Sequence, residues 1–292
     1  MESRLILAGL LVALGTGAAI AQDEKIRVIA FGAHPDDCEV TAGGIAAKFA
    51  AKAHLVKFVS VCNGDAGHCV IGGGALANRR RAESQQAARR LGIAEYEVLD
   101  NHDGEVMPTL AARKQISRLI RQWKADVVLL PRPYDYMADH RYTSILVQDA
   151  AFMVVVPLLQ PDIPALRRNP VFLYFEDRFQ KPQPFQPDIA VNIEDTWEKK
   201  LDSFEANESQ FYEAQPNCWG GGAAVPTDRV ERRKWLEKRW DRQPSVAVQR
   251  CLDKWYGAAK AAGVRHAEAF ELCEYGRRAT EAELKKLFPF FE

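Results

Sequence analysis

Two short stretches concentrate the side chains that chemistry needs. Ala33-His34-Pro35-Asp36-Asp37-Cys38-Glu39 puts one imidazole and three carboxylates within seven residues. Carboxylates crowded in this way repel one another and repel phosphate, and they attract a cation. The second stretch is Pro131-Arg132-Pro133-Tyr134-Asp135-Tyr136-Met137-Ala138-Asp139-His140-Arg141. If the two meet, His34, Asp37 and His140 supply two nitrogens and one oxygen. That is the ligand set of a catalytic zinc with one position left for water. Asp36 neighbours a ligand and, along an extended chain, points elsewhere. It is then free to take the proton from that water.

Both stretches must sit at one edge of a sheet for this to work, and the apolar pattern supplies one. Ile26–Ala33, Leu55–Cys62, Tyr96–Leu99, Asp126–Leu130, Val171–Phe175 and Ile189–Ile193 read as short strands rich in β-branched and aromatic residues. Helical spacing falls between them, over Ala42–Ala53, Ala75–Leu91, Leu110–Lys124 and Thr143–Val156. Strands alternating with helices imply βαβ units, a mainly parallel sheet and an α/β fold. The two polar stretches follow the first strand and Asp126–Leu130, at the carboxyl ends where such sheets bind ligands. Neither is a G-x-G-x-x-G loop, so a dinucleotide site is not expected. From Thr196 onward the chain reads as helical, charged and strand-poor.

The 292 residues carry 39 Lys+Arg against 39 Asp+Glu, with 47% hydrophobic and 27% charged residues. That balance excludes a disordered chain and a nucleic-acid-coating one. Leu5–Ile20 is apolar and uncharged, and Ala19-Ile20-Ala21 precedes Gln22. This is the layout of a secretory signal peptide, so residues 1–21 are expected to be removed on export to the periplasm or exterior. Six cysteines without a C-x-x-C are too scattered for a disulfide framework. Buried free thiols, or one bridge among Cys218, Cys251 and Cys273, are both compatible with the spacing.

The run AHPDDCE after the first strand, followed about 100 residues later by DYMADHR, resembles the PIG-L / LmbE-like deacetylases and their HPDD-x-E and H-x-D-H motifs. Arg80 and Glu83 match the family's R-x-x-E helix. Asp103-Gly104 resembles a family turn, and Lys200, Ser209 and Gln210 match a later segment. The resemblance implies a Rossmann-like three-layer sandwich over residues 26–210, with 211–292 as a C-terminal helical extension. It also implies a Zn2+-dependent hydrolase that cleaves the N-acetyl amide of an amino sugar. His34, Asp37 and His140 would bind the zinc, and Asp36 would be the general base. Asp139 would hold the site's histidine. Expected substrate contacts are Arg80, His68 and Tyr136. The partner would be a small amino sugar or glycoconjugate, with no nucleic acid and no membrane contact beyond export.

Two positions depart from the family pattern. Met137 stands where the family has the first histidine of H-x-D-H, and Asn207 where it usually has another. A thioether can neither steady an oxyanion nor protonate an amine. His68, His102, Tyr134 or Tyr136 could substitute, or Asp36 could act as base and then acid. The alternative is a metal-bearing carbohydrate-binding protein with weak or no catalysis. A zinc hydrolase acting on a different acyl bond is a further alternative.

Overall fold

A computed structural model describes residues 25–219, 222 and 224–291. The stretch 1–21, read above as a signal peptide, lies outside the described residues. Seven strands form one sheet: β1 (Arg27–Gly32), β2 (Leu55–Cys62), β3 (Glu95–Asn101), β4 (Val127–Leu130), β5 (Val171–Phe175), β6 (Ile189–Asn192) and β7 (Ala267–Leu272). Their order is β3-β2-β1-β4-β5-β7-β6. The five strands β1 to β5 pair in parallel, and β7 runs antiparallel to both of its neighbours.

Alternation along each strand divides the core into two layers. Val28, Ala30, Val56 and Phe58 enter one cluster, and Ile29, Phe31, Val59 and Val61 enter the other. Both faces are therefore apolar, which is why these strands read as continuous hydrophobic runs. The first layer packs on α1 (Asp37–Ala51), α2 (Gly73–Leu91) and α5 (Trp197–Ala206). The second packs on α3 (Leu110–Trp123) and α4 (Ala138–Met153). The result is the three-layer α/β sandwich expected from the sequence.

Three elements differ from the sequence expectation. Both α1 and α4 begin about a turn earlier, so Asp37, Asp139 and His140 lie in first helical turns. Gly43-Gly44 lies inside α1, where the helix packs closely on Lys200 and Ile193. A Cβ on Gly44 would lie 2.6 Å from Ile193 Cδ1. The third difference is β7. The stretch 211–292, expected to be a helical extension, contributes this strand between β5 and β6, alongside α6 (Arg229–Trp240), α7 (Val246–Tyr256) and two short helices. Its sequence, AEAFEL, hides the strand because Glu268 interrupts the apolar run.

Glu268 is 3% exposed. It accepts backbone hydrogen bonds from Gly44 (2.8 Å) and Ile45 (2.7 Å), and Lys200 Nζ lies 2.5 Å away. Lys200 also donates to the carbonyl of Val40 at 2.7 Å. This buried pair ties β7 and α5 to the helix that carries Asp37. Lys200→Met would leave a buried carboxylate without its cation, a change that typically costs about 3–5 kcal/mol. The two backbone donors that remain put the expected loss at the lower end. Urea unfolding measures it directly.

Candidate metal centre and cleft

β1 and β4 are neighbours at the centre of the sheet, with β2 and β3 on one side and β5 on the other. The order reverses there, and in open α/β sheets ligands bind in the crevice at such a reversal. The loop after β1 holds His34, and the loop after β4 leads into α4, which holds His140. Although 106 residues apart in the chain, His34 Nδ1 and His140 Nε2 lie 3.2 Å from each other. Asp37 Oδ2 is 3.5 Å from each of these nitrogens. A four-coordinate zinc with bonds of about 2.0–2.1 Å spaces its ligands by about 3.4 Å. The three atoms form a triangle of that size, and His34, Asp37 and His140 fit a divalent cation.

Hydrogen bonds fix the triangle from behind. The amides of Ala33 and His34 both donate to Asp37 Oδ2 at 2.8 Å. On the far side of the ring, His34 Nε2 faces Asp103 Oδ1 at 3.2 Å and Asp139 Oδ2 at 3.4 Å. Asp139 is fully buried and accepts from the amides of Gly104 (2.7 Å) and Val106 (3.2 Å). The histidine of the site that Asp139 faces is His34. His140 Nδ1 lies 3.1 Å from Asp135 Oδ2. Burial alone would push the His34 ring down in pKa. The carboxylates of Asp103, Asp139 and Asp37 override it and hold the ring well above its ordinary value. Burial would likewise raise Asp37, but His140 and His34 hold its carboxyl well below the usual range. Positive charge is favoured at this spot.

Asp36 required a correction. The sequence expectation of an extended chain would send it away from Asp37, yet both side chains line the same cavity. Residues 34–37 form a turn, in which the Asp37 amide donates to the His34 carbonyl at 3.3 Å. Asp36 itself sits at φ 140°, a region non-glycine residues rarely occupy. The residue is 8% exposed. Burial pushes its pKa up to about 7, against the pull of Arg80.

Arg80 is 2% exposed. Its Nη2 donates to the Pro35 carbonyl at 2.6 Å and lies 3.4 Å from Asp36 Oδ2. Gly64 makes room for it, since a Cβ there would be 2.3 Å from Arg80 Nη1. Arg80 thus lines the cavity and also braces the turn that bears Asp36. Tyr136 lines the mouth and is 79% exposed. His68 is not among the lining residues. Its Nε2 lies 3.3 Å from Glu213, and its Nδ1 accepts from the amides of Val70 and Ile71. The local turn thus holds His68 outside the cavity lining. His102 is exposed and 2.7 Å from Asp65. Tyr134 lies under Arg132. Of the residues considered as replacements for Met137, only Tyr136 and Asp36 line the cavity with it. Asn207 is buried elsewhere and donates to Glu39 at 2.8 Å.

Sequence reasoning missed several cavity residues. Asp103, singled out only as part of a turn, faces His34 as described. Trp240, at the end of α6 in the stretch read as helical and charged, packs against Phe204 and Phe211 and lines the cavity. Gln215 comes from the π-helical segment Ser209–Trp219, whose last residue, Trp219, the sequence offered equally as a sugar-stacking ring or a core residue; it lines the cavity. A disulfide joins Cys69 to Cys218, across 149 residues. Of the two alternatives left open above, a bridge among Cys218, Cys251 and Cys273 is not formed, and Cys251 and Cys273 are buried free thiols, as are Cys38 and Cys62.

The PIG-L family model, described as GlcNAc-PI de-N-acetylase, matches residues 29–151. Diacetylchitobiose deacetylase of Thermococcus kodakarensis is 28% identical over 202 residues, 66% of this chain and 73% of that protein. The solved N,N'-diacetylchitobiose deacetylase of Pyrococcus horikoshii, bound to an inhibitor, superposes with a TM-score of 0.64. It is 22% identical, with 86% of this chain and 85% of that chain covered. The 4-carboxy-2-hydroxymuconate hydratase GalB of Pseudomonas putida also reaches a TM-score of 0.64, at 18% identity, over 88% of this chain and 99% of its own. A hydratase and a deacetylase share this fold, so the fold alone does not select a reaction.

Proposed function

We propose that this chain, which matches the PIG-L family model over residues 29–151, is a metal-dependent N-deacetylase of acetylated amino sugars. The observation that carries the reading is the triangle of His34, Asp37 and His140 with the buried Asp36 beside it. A zinc ion held by that triangle supplies a Lewis acid for the acetamide carbonyl and lowers the pKa of a bound water toward about 7.

The chain's own residues do the rest. Asp36 accepts the proton of the attacking water, and its raised pKa matches a base that must later give the proton up. Arg80 keeps the Asp36 carboxyl in place through the turn and lies against it. Asp139 and Asp103 hold the His34 ring so that Nδ1 faces the cation site. With Met137 at the family's histidine position, Asp36 returns the proton to the departing amine. Tyr136 is the lining phenol available to the carbonyl oxygen. Acetate and a free amino sugar are the products.

Export belongs to the same reading. The Cys69–Cys218 bridge supports it, since such bonds persist in oxidising compartments. The test is acetate release, followed by NMR, from a panel of N-acetylated amino sugars with zinc-loaded protein. Acetate that disappears with a chelator and returns with zinc is the expected result. Sugar binding without any acetate would favour the non-catalytic alternative.

A further inference from the structure

The triangle of His34, Asp37 and His140 borders two cavities. The cleft described above, about 690 Å3, reaches His34, Arg80 and the loop after β2. A second cavity of about 260 Å3 lies between the first turn of α1 and the loops after β4 and β5. Asp36, Asp37, His140, Gln215 and Trp240 line both. The two spaces therefore meet at the cation site, with the base Asp36 at the junction.

An amide cleaved at this junction has two substituents to place. Its carbonyl carbon must sit beside Asp36 and the cation. A secondary amide is planar and trans, so its amine side and its acyl chain leave that carbon in opposite directions. The larger cleft suits the sugar, and the acyl chain then points into the second cavity. A water claims about 30 Å3 in the liquid, and a methyl group is of similar size. An acetyl methyl fills only a small part of 260 Å3.

The walls say what else fits. Val40, Pro131, Phe175 and Trp240 supply apolar surface. Polar groups among them already have partners. Arg132 donates to Asp177 at 3.0 Å and to the Gln183 carbonyl at 2.8 Å. Asp135 faces His140 Nδ1 at 3.1 Å and accepts from the Met137 amide at 2.8 Å. Glu176 lines both this cavity and the next groove outward. The carboxylates of Asp36, Asp37, Asp135, Glu176 and Asp177 stand against one guanidinium and a divalent cation. Negative charge stays in excess, so an acyl group with its own carboxylate is repelled and a neutral chain is not.

We propose that the second cavity is an acyl pocket, which directs this enzyme to N-acyl amino sugars whose acyl chain is uncharged and longer than acetyl. The inference rests on the deacetylase reading for the reaction and widens its acyl class. The hydrolysis is the same. Water adds to the carbonyl carbon, the C–N bond breaks with its electron pair on nitrogen, and the proton held by Asp36 goes to that nitrogen. A butyryl substrate gives butyrate and the ammonium form of the amino sugar, with both water protons on nitrogen.

The test follows release of the free amine from N-acetyl-, N-butyryl- and N-succinylglucosamine by zinc-loaded wild type, Val40→Phe and Val40→Leu, with calorimetric binding measured in parallel. Two more buried methylenes should favour butyryl over acetyl by about tenfold in kcat/KM on the wild type. Succinyl should fall below butyryl by about tenfold or more. Val40→Phe fills the pocket and should erase the butyryl advantage, and Val40→Leu should reduce it. Each readout is a ratio on one sample, so a smaller folded fraction does not move it. Butyryl cleaved no better than acetyl by the wild type, succinyl cleaved as well as butyryl, or an advantage intact in both variants overturns the pocket and leaves the deacetylase reading standing. If none of the three sugars is cleaved, that reading falls and binding decides the pocket. Butyryl binding about tenfold tighter than acetyl in the wild type, and lost in Val40→Phe, upholds it; equal binding or none overturns it.

Discussion

Asp36→Asn should lower turnover by about 10²–10⁴-fold, the range for loss of a positioned general base, with metal content unchanged. Asparagine keeps the shape of the side chain and is among the residues that best tolerate a positive φ, so the turn at 34–37 should survive. Arg80 keeps the Pro35 and Gly64 carbonyls as acceptors when the charge on residue 36 is removed. What disappears is a carboxylate that lines the cleft beside the cation triangle without belonging to it or to the contacts that hold His34 and His140 from behind. The loss should fall on kcat, because Asp36 acts on water and not on the sugar. Zinc measured on the same sample separates a missing base from a missing metal. Near-wild-type turnover would place the base elsewhere in the cleft.

The site was legible where its residues are ligands and illegible where they are walls. His34, Asp37 and His140 announce themselves because an imidazole beside carboxylates at a strand end has little other purpose. The strands that position them were readable because a parallel sheet is buried on both faces and writes itself as apolar runs. Asp139 was reached through the family resemblance, and its role follows from two backbone donors that no sequence pattern displays. Trp240 and Trp219 lie in the charged C-terminal stretch, and only the packing of Trp240 on Phe204 and Phe211 and the bridge at Cys218 bring them to the cleft.

The failures share a cause. β7, the placement of His68 and the orientation of Asp36 all depend on a polar group finding a partner far away in the chain or in an unusual turn. Glu268 is tolerable inside a strand because Lys200 and two amides of α1 meet it there. His68 leaves the cleft because Val70, Ile71 and Glu213 offer closer partners. Local periodicity carries no information about such partners, so it yields the sheet and its ligands but not the lining.

His140→Ala should abolish stoichiometric zinc, and it is the substitution that locates the ion. A second cluster, His34 with Cys62, Asp103 and Asp139, also gathers potential ligand atoms within 4.8 Å of one another. The two clusters share His34 but use opposite nitrogens of its ring, so a change at His34 would empty either one. His140 belongs to the first cluster alone. Exposure favours that cluster, since the side chains of Asp37 and His140 are 24% and 20% accessible while that of Asp139 is 0%. In the second, Asp139 is already committed to two backbone amides. The variant should therefore lose zinc on dialysis, as read by elemental analysis. It should also lose the stabilisation that zinc gives the wild type, about 2.7 kcal/mol at a hundredfold excess over Kd. The partly exposed histidine contributes little to the core, so the metal-free variant should melt close to the metal-free wild type. Full occupancy in His140→Ala, with loss of zinc in Cys62→Ser, would move the ion to the far side of His34 and leave Asp36 without a water to activate.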